Sequence, residues 1–227
     1  MKIGILQTGH SPEEMLEVHG NYSDRFTALL DGHGFDFETF SVVDGEFPAG
    51  PQDADGWLIT GSKHGAYEDH DWIAPLEDLI RDIRDSKKPM VGVCFGHQII
   101  AQALGGKVVK FEGGWSVGRT EYTVNGAKVA LNAWHQDQVV ELPQGAQVVG
   151  SSDFCTNAML TYGDSIWTLQ PHPEFGSDFI NGLIQNRGKG VVPDAQLAQA
   201  STGLDRPNDN TQIATQMANF FKTKARA

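Results

Sequence analysis

Apolar and polar positions along the first hundred residues follow two different periods. Short runs rich in β-branched or apolar residues, at 2–8, 37–43, 56–60 and 90–94, read as strands. Between them the spacing changes to three and four. Phe26, Leu29 and Leu30 mark one helical face before Gly32, and Ile73, Leu76, Leu79, Ile80 and Ile83 mark a second. Strands alternating with helices in this way predict a mainly parallel sheet covered on both faces. That is a three-layer α/β sandwich, with ligands at the carboxyl ends of the strands. From 107 to 169 the alternation gives way to short strands punctuated by turn residues, Asn125-Gly126 among them, which predicts a small antiparallel extension of the sheet. A helix is expected from about 176 to 186. After 188–193 the chain is polar and rich in small residues from 195 to 207, and a helical pattern returns at 211–222 with Ile213, Met217, Phe220 and Phe221. One domain of 227 residues is expected, with a core at about 1–187 and a peripheral tail at 188–227.

Chemistry concentrates at two places. Residues 92–98 set Cys94 between Gly92 and Gly96 where the strand ending near Val93 meets the helix through Ile99, Ile100, Ala101, Ala103 and Leu104. A residue on so sharp a turn is strained, with its reactive atom presented, and the flanking glycines let other backbone pass close by. The helix start favours an anion and hence a thiolate. Cys94 is therefore a candidate nucleophile. Far downstream, His172 stands between Pro171 and Pro173, which hold the segment extended. Residues two apart in an extended segment project to one side, so Glu174 can reach the imidazole. Nucleophile, base and orienter are all present if the two segments meet.

The G-x-C-x-G-x-Q elbow followed by H-P-E resembles the class I, or triad-type, glutamine amidotransferases. The stretches 58–62 and 94–100 look most like the stand-alone GMP-synthase-like branch that includes γ-glutamyl peptidases. The resemblance implies a flavodoxin-like fold, with Cys94 as nucleophile, His172 as base and acid, and Glu174 as its partner. It also implies an oxyanion hole from the backbone N–H groups of Gly61 and Phe95, and a substrate contact for Gln98. Residues 133–139 resemble the loop that holds the amino-acid head of the substrate, which assigns Gln136 and Asp137 to substrate binding, although Trp134 stands where that pattern has serine. The implied reaction is hydrolysis of a γ-glutamyl amide through a thioester, releasing glutamate and ammonia. Two alternatives stay open: a γ-glutamyl peptidase acting on peptides or amides, and a non-catalytic module on the same fold. The substrate is glutamine or a γ-glutamyl compound. A separate ATP-dependent synthetase subunit is a possible partner, because the chain carries no nucleotide-binding glycine loop of its own.

A net charge of −12, from 17 basic and 29 acidic residues, argues against a nucleic-acid surface or affinity for anionic lipid. Apolar stretches fall well short of the roughly 18 residues that mark a membrane span, and the start of the chain is too short in apolar residues for a secretory leader. The two cysteines are Cys94 and Cys155; joining them would remove the nucleophile, so a reducing compartment, the cytoplasm, is expected. No cofactor is expected. No metal site is expected either: His64 and His70 flank an acidic loop of Glu68, Asp69 and Asp71, but their spacing fits no strong ligand pattern. That loop reads instead as a lid following Gly61.

Overall fold

The computed structural model describes residues 1–224. A nine-stranded sheet runs in the order β2 (Asp36–Phe40), β1 (Lys2–Leu6), β3 (Gly56–Ile59), β4 (Met90–Val93), β11 (Ile166–Leu169), β10 (Met159–Tyr162), β9 (Ala146–Ser151), β6 (Ser116–Val124), β7 (Ala127–His135). The first five in that order are parallel, and from β11 to β7 every pairing is antiparallel. β5 (Lys107–Lys110) and β8 (Asp137–Glu141) form a separate antiparallel pair. The expected parallel core and antiparallel extension are both present. The extension is larger than the core sequence suggests, because β10, β9, β6 and β7 continue the same sheet.

Helices cover both faces. On one side lie α3 (Ile73–Asp85) and α4 (Phe95–Ala103), where Ile73, Leu76, Leu79, Ile80 and Ile83 pack with Trp57, Ile59 and Ile100 in one buried cluster. On the other lies α2 (Tyr22–Leu29), which buries Phe26 beside Leu30 against Ile3, Ile5, Leu58 and Val91. The Asn125-Gly126 pair closes the β6–β7 hairpin with both residues at positive φ, 47° and 84°, as a type I′ turn requires.

The tail departs from the expected periphery. Residues 194–202 form a helix, α6 (Asp194–Thr202), because the run of alanine, glutamine and leucine that looks featureless as an amphipathic pattern has high intrinsic helix propensity. α7 (Asn210–Lys224) is a layer of the core. It buries Ile213, Ala214, Met217, Ala218 and Phe221 in the cluster that holds β1, β3 and β4. Phe221 is fully buried, meets Phe35 edge-on at 5.9 Å, and comes so close to β3 that a Cβ on Gly56 would lie 3.0 Å from its ring.

Truncating that ring tests the role of the tail. Phe221→Ala should cost about 3–5 kcal/mol, the usual cost of emptying a buried aromatic site. Gln216→Ala on the exposed face of α7 should stay within about 0.5 kcal/mol. Urea unfolding midpoints decide; equal midpoints for the two variants would mean that α7 contributes nothing to the core.

Candidate active site

Cys94 occupies the single position between β4 and α4, with φ 53° and ψ −103°. A side chain at positive φ is strained, and the neighbouring contacts hold it there. The Cys94 N–H donates to the Leu169 carbonyl at 2.8 Å, and the Gly96 N–H to the Thr60 carbonyl at 3.1 Å, so the elbow is tied to the strands on either side of β4. Close approach explains the flanking glycines. A Cβ on Gly96 would lie 2.3 Å from the Ile59 carbonyl oxygen, and one on Gly92 would lie 2.5 Å from that of Gly96.

His172 follows β11. Its N–H donates to the Asn132 carbonyl at 2.8 Å, a lone bridge to β7 that fixes the extended segment. The imidazole Nδ1 lies 2.7 Å from Glu174 Oε1, with both side chains nearly fully buried, and the ring stacks on Phe175 at 4.0 Å. The i, i+2 reach expected from the extended segment is thus present. Burial alone would discharge the ring. The charges of Glu174 and Cys94 and hydrogen bonds to both overcome that and raise its pKa well above the ordinary histidine value.

Gly61 follows β3 and touches both groups. A Cβ there would lie 3.1 Å from His172 Cε1 and 3.7 Å from Cys94 Cβ, so a sulfur and an imidazole remote in the chain share one small space. The N–H groups of Gly61 and Phe95 donate to no backbone or side-chain acceptor among the described residues, which leaves both free for a ligand. The Gly61 peptide is held from behind: the Thr8 N–H donates to Thr60 Oγ1 at 3.0 Å, and Thr60 Oγ1 donates to the Gly61 carbonyl at 3.0 Å.

A cavity of about 320 Å³ opens over these groups and is lined by Gly61, Cys94 and His172 together with Gln98, Gln136 and Asp137. The Gln98 amide donates to the Asp137 carbonyl at 3.0 Å and to Gln170 Oε1 at 3.2 Å, which leaves its own carbonyl oxygen for a ligand. Gln136 is anchored to the Phe111 carbonyl at 3.2 Å. Burial raises the pKa of Asp137, an effect opposed by its contacts with Tyr67 and Lys110. Among the described residues no helix is long and apolar enough to cross a membrane.

The family model described as "Glutamine amidotransferase class-I" matches residues 48–183, more than half of the chain. The chain belongs to that family. Gamma-glutamyl peptidase 4 of Arabidopsis thaliana is 35% identical over 209 residues, covering 85% of this chain and 83% of that protein. A GMP synthase (glutamine-hydrolyzing) of Clostridium acetobutylicum is 32% identical over 127 residues, 52% of this chain and 24% of the synthase. The crystal structure of a glutamine amidotransferase from Methylobacillus flagellatus superposes with a TM-score of 0.77 at 20% identity, covering 100% of this chain and 93% of that one. The family and these relatives support a hydrolytic enzyme.

Trp134, in the 133–139 loop, lines the pocket of this amidotransferase together with Trp115, and three further lining residues have no motif to reveal them: Tyr67, Lys110 and Arg187. Tyr67 lies in the acidic loop read as a lid, and Arg187 falls where the sequence reading ends the core, so only position could have flagged them. Tyr22, Trp115, Trp134, Phe175 and Leu183 belong to one continuous apolar cluster and make an aromatic wall. Arg187 makes no ion pair or hydrogen bond among the described residues.

His97 in the elbow is a packed residue, as expected from its helix position, with Nδ1 2.8 Å from Thr168 Oγ1. Burial drives the pKa of both His97 and His135 down to about 3, so both are neutral in the fold. The unfolded chain takes up those protons near pH 6.5 and the folded chain does not, so stability present at neutral pH is lost as pH falls through that window. His172, whose pKa the fold raises, acts in the opposite direction, but its unfolded ring is itself at least half protonated below pH 6.5, so it offsets only about 0.4 kcal/mol of that loss. Unfolding free energy should fall by about 1 kcal/mol per pH unit for each of the two histidines between pH 6.5 and 5, above the carboxylate range. A flat urea profile over that interval would contradict the neutral assignment.

Proposed function

We propose that this amidotransferase-family protein hydrolyses γ-glutamyl amide bonds by covalent catalysis at Cys94. The observation that carries the reading is the meeting of Cys94, a carboxylate-paired His172 and two free N–H groups in one cavity. In the resting pair His172 already holds the proton given up by the Cys94 thiol, and Cys94 Sγ bonds to the γ-carbonyl carbon. The oxygen becomes an oxyanion facing the N–H groups of Gly61 and Phe95, each worth about 3–4 kcal/mol in the transition state. Collapse breaks the C–N bond. The amine leaves with the proton from His172, and a thioester remains on Cys94. Water then gives a proton to His172 and attacks the thioester, and glutamate departs as the proton returns to sulfur. The raised pKa of His172 favours holding the transferred proton until the amine takes it.

Gln98, Gln136 and Asp137 supply the polar side of the cavity, where Asp137 suits the α-ammonium of a γ-glutamyl group. The rest of the lining supports an amine larger than ammonia: much of it is aromatic, and Arg187, which makes no ion pair among the described residues, offers a cation to a carboxylate on the leaving group. The reading is therefore a γ-glutamyl peptide hydrolase, in keeping with the relatives named γ-glutamyl peptidases. The likeness to part of a GMP synthase favours a second reading, in which glutamine is the substrate and ammonia passes to a separate synthetase.

Cys94→Ala should abolish hydrolysis and labelling by an electrophilic glutamine analogue; surviving turnover would defeat the nucleophile assignment. Amine release from a γ-glutamyl dipeptide should exceed ammonia release from glutamine in kcat/KM. Arg187→Ala should raise KM for the dipeptide by about 10- to 100-fold, the loss of one charge-assisted contact, with little change for glutamine. Preference for glutamine, increased by a synthetase, would support the second reading instead.

A further inference from the structure

His64, Glu68 and His70 are separated in the sequence by intervals that fit no familiar ligand motif, yet the loop from β3 to α3 folds them onto one point. His64 Nδ1 lies 3.4 Å and His70 Nε2 2.8 Å from the same Glu68 oxygen, Oε2. One donor atom from each residue lies within 4.8 Å of the others. Around a zinc ion bound at about 2.0–2.1 Å, tetrahedral ligand atoms sit roughly 3.4 Å apart, so small side-chain rotations complete the site.

The rings are held from behind. Their centroids are 4.4 Å apart, and both meet the indole of Trp72 at 5.8 Å, His70 parallel to it and His64 edge-on. Trp72 is itself buried and packs on Phe95 at 5.5 Å, the residue that begins α4. A rigid aromatic support behind two imidazoles restricts their rotamers, which lowers the entropy lost when a ligand fixes them.

We propose that this loop binds one divalent transition-metal ion, such as zinc or cobalt, through His64 Nδ1, Glu68 Oε2 and His70 Nε2. Motif spacing alone predicts no metal site; folding of the loop creates the donor set. Two nitrogens and one carboxylate oxygen suit zinc, cobalt, nickel or copper in preference to magnesium or calcium. Three protein ligands leave at least one coordination position open. His64 and Glu68 also line the cavity over Cys94, so the bound ion would sit in the cavity wall and tie together the loop that begins at Gly61. The site stands independently of the hydrolase reading, since none of its ligands takes part in that chemistry.

Cobalt(II) titration of the full chain, followed by visible absorption with zinc(II) as competitor, tests the proposal. One equivalent should bind, with d–d bands but no thiolate charge-transfer band. His64→Asn and His70→Asn should each weaken binding by at least about 100-fold, while Cys94→Ser leaves it unchanged. Glu68→Gln, checked for native circular dichroism, guards against a histidine variant that loosens the loop. A thiolate band, or loss of binding in Cys94→Ser, would place the ion at the nucleophile and overturn the proposal. So would undiminished binding in the histidine variants, or no binding at all.

Discussion

Everything at the site depends on β3, β4 and β11 lying side by side and parallel. Their register sets Ile59 opposite Gly92 and Leu169 opposite Val93, so the three strands end on nearly the same rung. Neighbouring strands are about 4.8 Å apart. Gly61, Cys94 and His172, each leaving one of these ends, are thereby brought within contact distance although the sequence separates them widely. The two hydrogen bonds from the elbow to Leu169 and Thr60 extend this alignment past the strands into the loops. The strained backbone of Cys94 is held by that extension, because relaxing it would break a bond on each side.

The same placement creates an electrostatic problem that His172 and Glu174 solve together. Either charge alone in this cavity would be costly, and removing one member of a buried pair typically costs about 3–5 kcal/mol because the other is left unmatched. Paired at 2.7 Å and backed by the Phe175 ring, they keep a protonatable group deep in the fold. His97 and His135, equally buried but without a carboxylate, are driven the other way and stay neutral. Burial is common to all three histidines; the carboxylate decides the sign.

Most of this was legible in the sequence, for physical reasons that can be named. The strand and helix periods predict the parallel core because packing on both faces demands them. The elbow is visible because close backbone approach requires glycine at 92 and 96. The i, i+2 relation of His172 and Glu174 is visible because the prolines fix an extended segment. Less legible were contacts that no period or motif encodes. α7 carries a visible apolar face, yet that face cannot say which surface it covers. Arg187 and Trp115 reach the cavity through the packing of distant segments, and the convergence of His64, Glu68 and His70 exists only once the loop is folded.

The division between legible and hidden parts follows a division of labour in the fold. The groups proposed to do the chemistry leave the ends of β3, β4 and β11, and all lie inside the span matched by the family model, which ends at residue 183. Arg187 and Val191, which also line the cavity, lie just beyond it. A scaffold that fixes bond cleavage on rigid strand ends, and meets the departing amine with a segment outside the shared span, can change its leaving group without disturbing its nucleophile. On the reading proposed for this chain, the segment after residue 183 adds Arg187 to an aromatic lining supplied from within the matched span, and that cation is what distinguishes a peptide carboxylate from ammonia.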